Sequence, residues 1–484
     1  MQLDSRRRWL ALVVLCLGVL MIVLDTTVVN VALPSIREDL RFDDASLVWV
    51  VNAYLLTFGG FLLLGGRLGD LYGHRRLFLA GIVVFTLASL ACGLSGSQTM
   101  LIAARAVQGI GGAVVTAVAL SLIMMLFTEP GERAKAMGVY GFVCAGGGSV
   151  GVLLGGVLTS ALDWHWVFLV NIPIGIAVIA WSLRLLPGGA GHAAGGKLDV
   201  AGAVTVTVAL MLAVYAIVNG NAAGWTSTQT LGLLGAAVVL LVLFLAIEAR
   251  VREPLMPLGM FRLRNVATAN VVGVLWAASM FAWFFLSALY MQVVLGYGPM
   301  QVGLAFLPAN LIMAAFSLGL SAKIVMRFGI RAPMGIGLAL AAAGLALFAF
   351  APVQGQFVAH VLPGMLLLGI GGGLAFNPVL LAAMSDVEPS DAGLASGLVN
   401  TSFMMGGALG LAVLASAAAH RTSAATASGI DLVTASHQGY QLAFLLGAVA
   451  ALAAGVLGAT VIRSREHGTV RPDAPDGSAD LAAP

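Results

Sequence analysis

Fourteen stretches of apolar residues, each close to or beyond the length that crosses a bilayer, divide this chain from end to end. A membrane-crossing helix needs about 20 mostly apolar residues, and only helices and closed barrels satisfy their backbone groups inside hydrocarbon. The stretches are residues 9–33, 46–66, 77–95, 99–126, 137–160, 165–186, 199–219, 229–248, 266–294, 300–322, 333–351, 359–383, 393–418 and 440–462, with 199–219 and 333–351 the shortest or most interrupted. Charge is scarce to match: 24 Lys+Arg and 21 Asp+Glu make up 9% of 484 residues. A soluble domain carries about 25%. A water-covered surface cannot be built from so few charges, which excludes a soluble enzyme or a nucleic-acid binder. The net charge of +3 points to no polyanionic partner. Cys16, Cys92 and Cys144 lie in apolar runs without metal or disulfide spacing. The sequence reads as an all-α polytopic membrane protein.

The positive charges orient it. With the N-terminus in the cytoplasm, cytoplasmic segments hold 20 Lys/Arg, and the outer loops hold three (Arg37, Arg41, Arg421). That bias fits the positive-inside rule and requires an even number of spans, with both termini cytoplasmic. Ser5-Arg6-Arg7-Arg8-Trp9-Leu10 resembles a twin-arginine export signal. The apolar run continues to Leu33 without a small-residue cleavage site, so a retained first helix is expected. Residues 463–484 are polar and without apolar periodicity, and read as a disordered cytoplasmic tail.

The chain repeats itself at an offset near 260 residues. Gly109-Ile110-Gly111-Gly112-Ala113 recurs as Gly369-Ile370-Gly371-Gly372-Gly373, and Gly147-Gly148 with Gly151 recurs as Gly406-Gly407 with Gly410. Equivalent spans share one orientation and lie eight spans apart, so two spans are inserted between two six-helix halves. The expected division is 1–186 for the first bundle, 187–265 for a linker with two extra spans, 266–462 for the second bundle, and the tail. Parallel six-helix halves with a site at their interface characterise one large class of secondary transporters. Recurrent glycine-rich helix packing without common descent is the alternative.

Two charges sit well inside the apolar runs. At about 1.5 Å per residue, Asp25 lies roughly 13 Å and Arg105 roughly 9 Å from the outer ends of their spans. They can therefore share a level in one half. Burial raises a carboxyl group's affinity for a proton and a nearby guanidinium lowers it, so such a site can exchange protons when the spacing changes. A fixed ion pair holding two helices together is the alternative, although intramembrane charges mark functional sites by default.

Gly66-Arg67-Leu68-Gly69-Asp70-Leu71-Tyr72-Gly73-His74-Arg75-Arg76 joins the second and third spans on the cytoplasmic side. Its glycines permit a tight turn, and Asp70 can bind a helix N-terminus or nearby arginines and so hold one state of a moving bundle. The corresponding loop at 322–331 has Met326 where the acid would be. In the fifth span Gly147, Gly151 and Gly155, with Gly156, form a smooth face for close helix approach. In the ninth, Trp276, Met280, Trp283 and Tyr290 recur at helical spacing, which suits contact with a bulky organic substrate or packing against helix and lipid. Walker A and HExxH are absent from the sequence, and the single GxSxG match, Gly147-Gly148-Ser149-Val150-Gly151, falls inside an apolar helical run rather than at a strand-to-helix turn, so hydrolytic and ATP-driven chemistry have no foothold and no cofactor is expected.

Nearly end to end, the chain resembles the fourteen-helix drug:proton antiporters of the major facilitator superfamily, the QacA/EmrB type. The resemblance rests on Leu24-Asp25-Thr26-Thr27-Val28-Val29-Asn30-Val31-Ala32-Leu33-Pro34, residues 66–76, Arg105-Ala106-Val107-Gln108-Gly109, the glycines of 147–156, and Trp164-His165-Trp166-Val167-Phe168-Leu169-Val170-Asn171-Ile172-Pro173-Ile174-Gly175. It implies efflux of hydrophobic or amphipathic organic compounds in exchange for protons, by a monomer in the bacterial cytoplasmic membrane. In the family the positions of Asp25 and Arg105 belong to proton coupling and the Asp70 loop to gating. The chain departs from the pattern with Val152 after Gly151 where the family reads Gly-Pro, with His165 where arginine is common, and in having no deep acid in its second half. The last feature favours neutral, zwitterionic or weakly cationic substrates. A dedicated exporter of one metabolite and a non-transporting receptor or scaffold are the rival readings.

Overall fold

The computed structural model describes residues 4–462 apart from 44–45, 187–198, 252–253, 317–319, 385–386 and 388–391. The expected tail at 463–484 and the first part of the linker lie outside the described residues. Those described are helical, with no strand among them. In chain order the helices are α1 (Ser5–Leu40), α2 (Trp49–Tyr72), α3 (His74–Gly93), α4 (Gln98–Leu126), α5 (Pro130–Ala161), α6 (Trp166–Leu169) and α7 (Asn171–Leu185). Then come α8 (Val200–Ala223), α9 (Thr228–Glu248), α10 (Arg264–Leu289), α11 (Pro299–Ala315) and α12 (Ser321–Phe328). The series ends with α13 (Arg331–Ala349), α14 (Leu362–Met384), α15 (Ala392–Ala427) and α16 (Leu432–Val461). Among the described residues, eleven helical segments are long and apolar enough to cross a membrane, and Ser46–Leu62, Val150–Ala161 and Pro299–Ala315 are shorter apolar helices.

Local chemistry explains where helices outrun the apolar runs. α15 continues to Ala427 and α16 begins at Leu432, where the apolar pattern places the corresponding ends at 418 and 440. The intervening segment is rich in alanine, which favours helix whether or not it is in lipid. Asp431 caps α16 by accepting the Thr434 backbone N–H at 3.0 Å, and this bond holds its carboxyl group below the usual carboxylate range. α6 and α7 form one interrupted segment, because Pro173 has no N–H to offer the turn before it and sits near the start of α7. The break leaves Asn171 at the head of α7.

Glycines set the packing, and in corresponding ways. A Cβ on Gly109 would lie 2.4 Å from the Tyr54 carbonyl on α2, and one on Gly369 would lie 2.7 Å from the Ala309 carbonyl on α11. Gly111 meets α3 at Phe85 as Gly371 meets α13 at Ala341. Gly147, Gly151 and Gly155 of α5 lie against Leu20, Leu24 and Val28 of α1, while Gly406, Gly407 and Gly410 of α15 lie against Val274, Phe281 and Ala278 of α10. The α5 glycine face thus fixes the helix that carries Asp25.

α1–α7 pack among themselves, as do α10–α16, and the two groups meet where α5 touches α11 and α2 touches α15. Polar contacts across this seam join Asn52 Nδ2 to the Ala408 carbonyl (2.8 Å), Gln292 Nε2 to the Val31 carbonyl (3.1 Å), and the Met300 N–H to Ser160 Oγ (3.2 Å). Each of these described contacts lies toward the end of the molecule away from Ser5. α8 packs on both α2 and α15. Thr207 lies against Gly60 near one end of it, and Asn221 donates to Ser416 near the other.

Candidate functional site

Asp25 and Arg105 come together in the interior, 2% and 1% exposed, as a direct ion pair between Arg105 Nη1 and Asp25 Oδ2. An isolated charge in this setting costs several kcal/mol, roughly, so its remaining hydrogen-bonding capacity must be met as well. Two neutral amides meet it. Asp25 Oδ1 accepts from Gln108 Nε2 at 2.7 Å and from Asn171 Nδ2 at 3.1 Å. Gln108 also accepts from Arg105 Nη1 at 2.7 Å through Oε1, and donates to Ser89 Oγ at 2.8 Å. Arg105 Nε donates to the Val50 carbonyl at 2.9 Å. The guanidinium lies over the Tyr54 ring at 4.4 Å and near the Phe168 ring at 5.6 Å. Side chains from α1, α3, α4 and α7 therefore converge on one carboxylate, with the α2 backbone and the α2 and α6 rings enclosing its partner. Within this shell Tyr54 Oη and Asn171 Oδ1 are buried without hydrogen-bond partners.

Of the segment at 66–76, Gly66 and Asp70 lie within α2, which runs to Tyr72, and the chain turns only at Gly73 (φ 93°). The reason is packing. A Cβ on Gly65 would lie 3.0 Å from Val114 Cα and one on Gly69 would lie 3.2 Å from Val118 Cγ2, so glycines here let α2 approach α4. Arg75 Nη2 donates to the Leu183 carbonyl at 2.5 Å, tying α3 to the end of α7, and Arg76 is exposed. The Arg67 and Asp70 side chains lie outside the described residues.

The aromatic series of α10 is distributed among different neighbours. Trp283 packs on Phe284 and Phe306, and Tyr290 packs on Phe348 and His437 while donating to the Pro352 carbonyl at 3.0 Å. Met280 is half-buried against the core. Trp276 instead lines a small pocket, with a cavity volume of about 20 Å³, together with Phe376, Val379 and Leu380 of α14 and Val399, Asn400 and Phe403 of α15. Those seven walls carry no charge. Gly156 touches Pro299 and Met300 across the seam, apart from the other three glycines of its run.

Sequence reasoning left Gln108, Asn171, Ser89 and Tyr54 without roles. Gln108 had a signal, since it follows Arg105 by three residues and so shares its helix face. Asn171 had only the neighbouring Pro173 to mark a helix start, and nothing in the spacing tied it to Asp25.

A charge pair buried among long apolar helices marks a polytopic helical membrane protein with a candidate functional site in its interior. The chain matches the Major Facilitator Superfamily over residues 15–411 and belongs to it. It is 40% identical to the puromycin resistance protein of Streptomyces alboniger over 95% of this chain and 92% of that one. With the cephamycin export protein of Amycolatopsis lactamdurans it shares 41% identity over 92% and 91% of the two chains. The tetracenomycin C resistance and export protein of Streptomyces glaucescens is 34% identical over 84% of this chain and 75% of its own. Among solved structures, a bacterial homologue of the lysosomal transporter Spinster, in an inward-facing and unoccupied conformation, superposes with a TM-score of 0.66 at 16% identity, covering 94% of this chain and 97% of that one. At that identity the likeness speaks to fold alone.

Proposed function

We propose that this protein exports hydrophobic or amphipathic organic compounds, antibiotics among them, in exchange for protons. The observation that carries the reading is the Asp25–Arg105 pair, buried at 2% and 1% exposure and held by two amides. A carboxylate enclosed in this way can gain and lose a proton, and its partners must rearrange when it does. The relatives named for resistance to or export of puromycin, cephamycin and tetracenomycin C support small organic cargo. The walls at Trp276 and Phe403 carry no charge and suit contact with an apolar or neutral group of such a cargo.

In this reading the chain crosses the bacterial cytoplasmic membrane fourteen times, with both termini in the cytoplasm, and works as a monomer. Two six-helix bundles flank the inserted pair α8 and α9. The seam contacts at Asn52, Gln292 and Ser160 then close the outer side. The segment around Asp70 and Gly73 governs the opposite closure. The test is a susceptibility screen of cells with and without the protein, with and without a proton uncoupler. Protection that the uncoupler abolishes supports the reading, and protection indifferent to it removes the proton.

A further inference from the structure

Asn171 does something more specific than fill a helix start. It is fully buried, its Nδ2 donates to Asp25 Oδ1 at 3.1 Å, and its own Oδ1 has no partner. A buried acceptor left unpaired is costly and calls for an explanation. The carboxylate supplies one. Ionised, Asp25 accepts only; protonated, it carries one O–H that needs an acceptor. A carboxamide presents a donor and an acceptor from the same end, exchanged by a half-turn about its last torsion.

We infer that Asn171 is the positioning residue that reads the charge on Asp25, donating through Nδ2 to the carboxylate and accepting through Oδ1 from the carboxylic acid. Gln108 and Arg105, which also bond Asp25, are less free to change roles. Gln108 is tied at both ends, to Arg105 through Oε1 and to Ser89 through Nε2, and Arg105 is held on the Val50 carbonyl. Asn171 has a single bond, to Asp25, and its reversal frees no other described partner. Its place at the head of α7, immediately after the short α6, lets the exchange reach the α6–α7 junction, which packs on α1 and α3. The titratable and charged groups facing Asp25 are Arg105, Tyr54 and Cys92; Gln108, Ser89 and Asn171 face it as neutral groups.

This inference rests on the proposed proton coupling, and the experiment separates the two. Purified protein in lipid nanodiscs is followed by infrared difference spectroscopy between pH 5 and 9, and the carboxylic-acid C=O band that disappears in Asp25→Asn is assigned to Asp25. Asn171→Leu removes the donor to the ionised form. A bond to a charged group outweighs one to a neutral group, so the band survives to a pH about one unit higher than in wild type, a roughly tenfold change in proton affinity. Asn171→Asp keeps the shape of the side chain and places a second carboxyl beside the first, so the half-loss of the band moves upward again. A half-loss pH unchanged in both variants overturns the role of Asn171 while leaving the coupling intact. If no band sensitive to Asp25→Asn titrates in this range, the coupling and the inference fall together.

Discussion

The Asn52 amide donates to the Ala408 carbonyl at 2.8 Å, and Asn52 is fully buried at the seam between the two helix groups. Ala408 already lies within α15, so its carbonyl does not depend on Asn52 for a partner, whereas Asn52 uses it to close one side of the molecule. Asn52→Ala should therefore loosen the seam without unfolding either group. One neutral hydrogen bond is worth about 1 kcal/mol net, roughly a fivefold shift in the balance of closed and open states. Thiol labelling of Val31→Cys, buried at the same end, in a background without the native cysteines checks it. Faster labelling in the Asn52→Ala background is expected, and equal rates would mean that the bond does not hold the seam.

Asp25→Asn distinguishes a working carboxylate from a structural ion pair. Losing one partner of a buried pair leaves an uncompensated guanidinium and costs about 3–5 kcal/mol. The protein should still reach the membrane, with lowered thermal stability and no pH-gradient-driven export in vesicles. Adding Arg105→Gln removes the orphaned charge and should restore much of the stability while export stays absent. Export that returned together with stability would identify the pair as a structural link, and full export by Asp25→Asn alone would end its coupling role.

Much of this architecture is legible because the bilayer leaves the chain so few options. Apolar runs must be helices, and a charge within them stands out against its neighbours, so Asp25 and Arg105 announce themselves. Gln108 and Asn171 do not, because neutral amides are tolerated in many helices and only three-dimensional convergence gives these two their partners. The segment at 66–76 is legible only in part, because glycine serves both turns and close helix contact. Gly73, with φ 93°, makes the turn, whereas Gly65 and Gly69 lie against Val114 and Val118 of α4. The seam is absent from the sequence pattern altogether, since Asn52 and Gln292 act through backbone carbonyls, which any residue could supply.

Arg105→Lys should behave as a severe substitution. Arg105 bonds through two separate nitrogens, Nε to the Val50 carbonyl and Nη1 to Asp25 and Gln108, while its plane covers the Tyr54 ring. A lysine keeps the charge but is a single point donor without a flat face. It can hold Asp25 or Val50 but not span both, and the Gln108 bridge loses its fixed geometry. Export in vesicles should fall at least about tenfold with protein levels unchanged. A lysine variant as active as wild type would show that charge alone suffices.

Gly155 and Gly148 stand on the same helix and should answer oppositely to one methyl group. A Cβ on Gly155 would lie 2.8 Å from the Val28 carbonyl oxygen and 3.1 Å from Val28 Cα, both backbone atoms of α1 that no rotamer can move aside. On Gly148 the nearest atom would be Thr27 Cγ2 at 3.9 Å, an ordinary contact. Gly155→Ala must therefore push α1 away from α5, at a cost of about 1–3 kcal/mol. Gly148→Ala should be neutral or slightly stabilising, because alanine favours the helix by about 1 kcal/mol. Thermal unfolding of the two purified variants in detergent measures the difference. Since α1 carries Asp25, only three residues before Val28, Gly155→Ala should also weaken export more than its stability loss explains. Equal behaviour of the two variants would mean that α1 is not held by the glycine face.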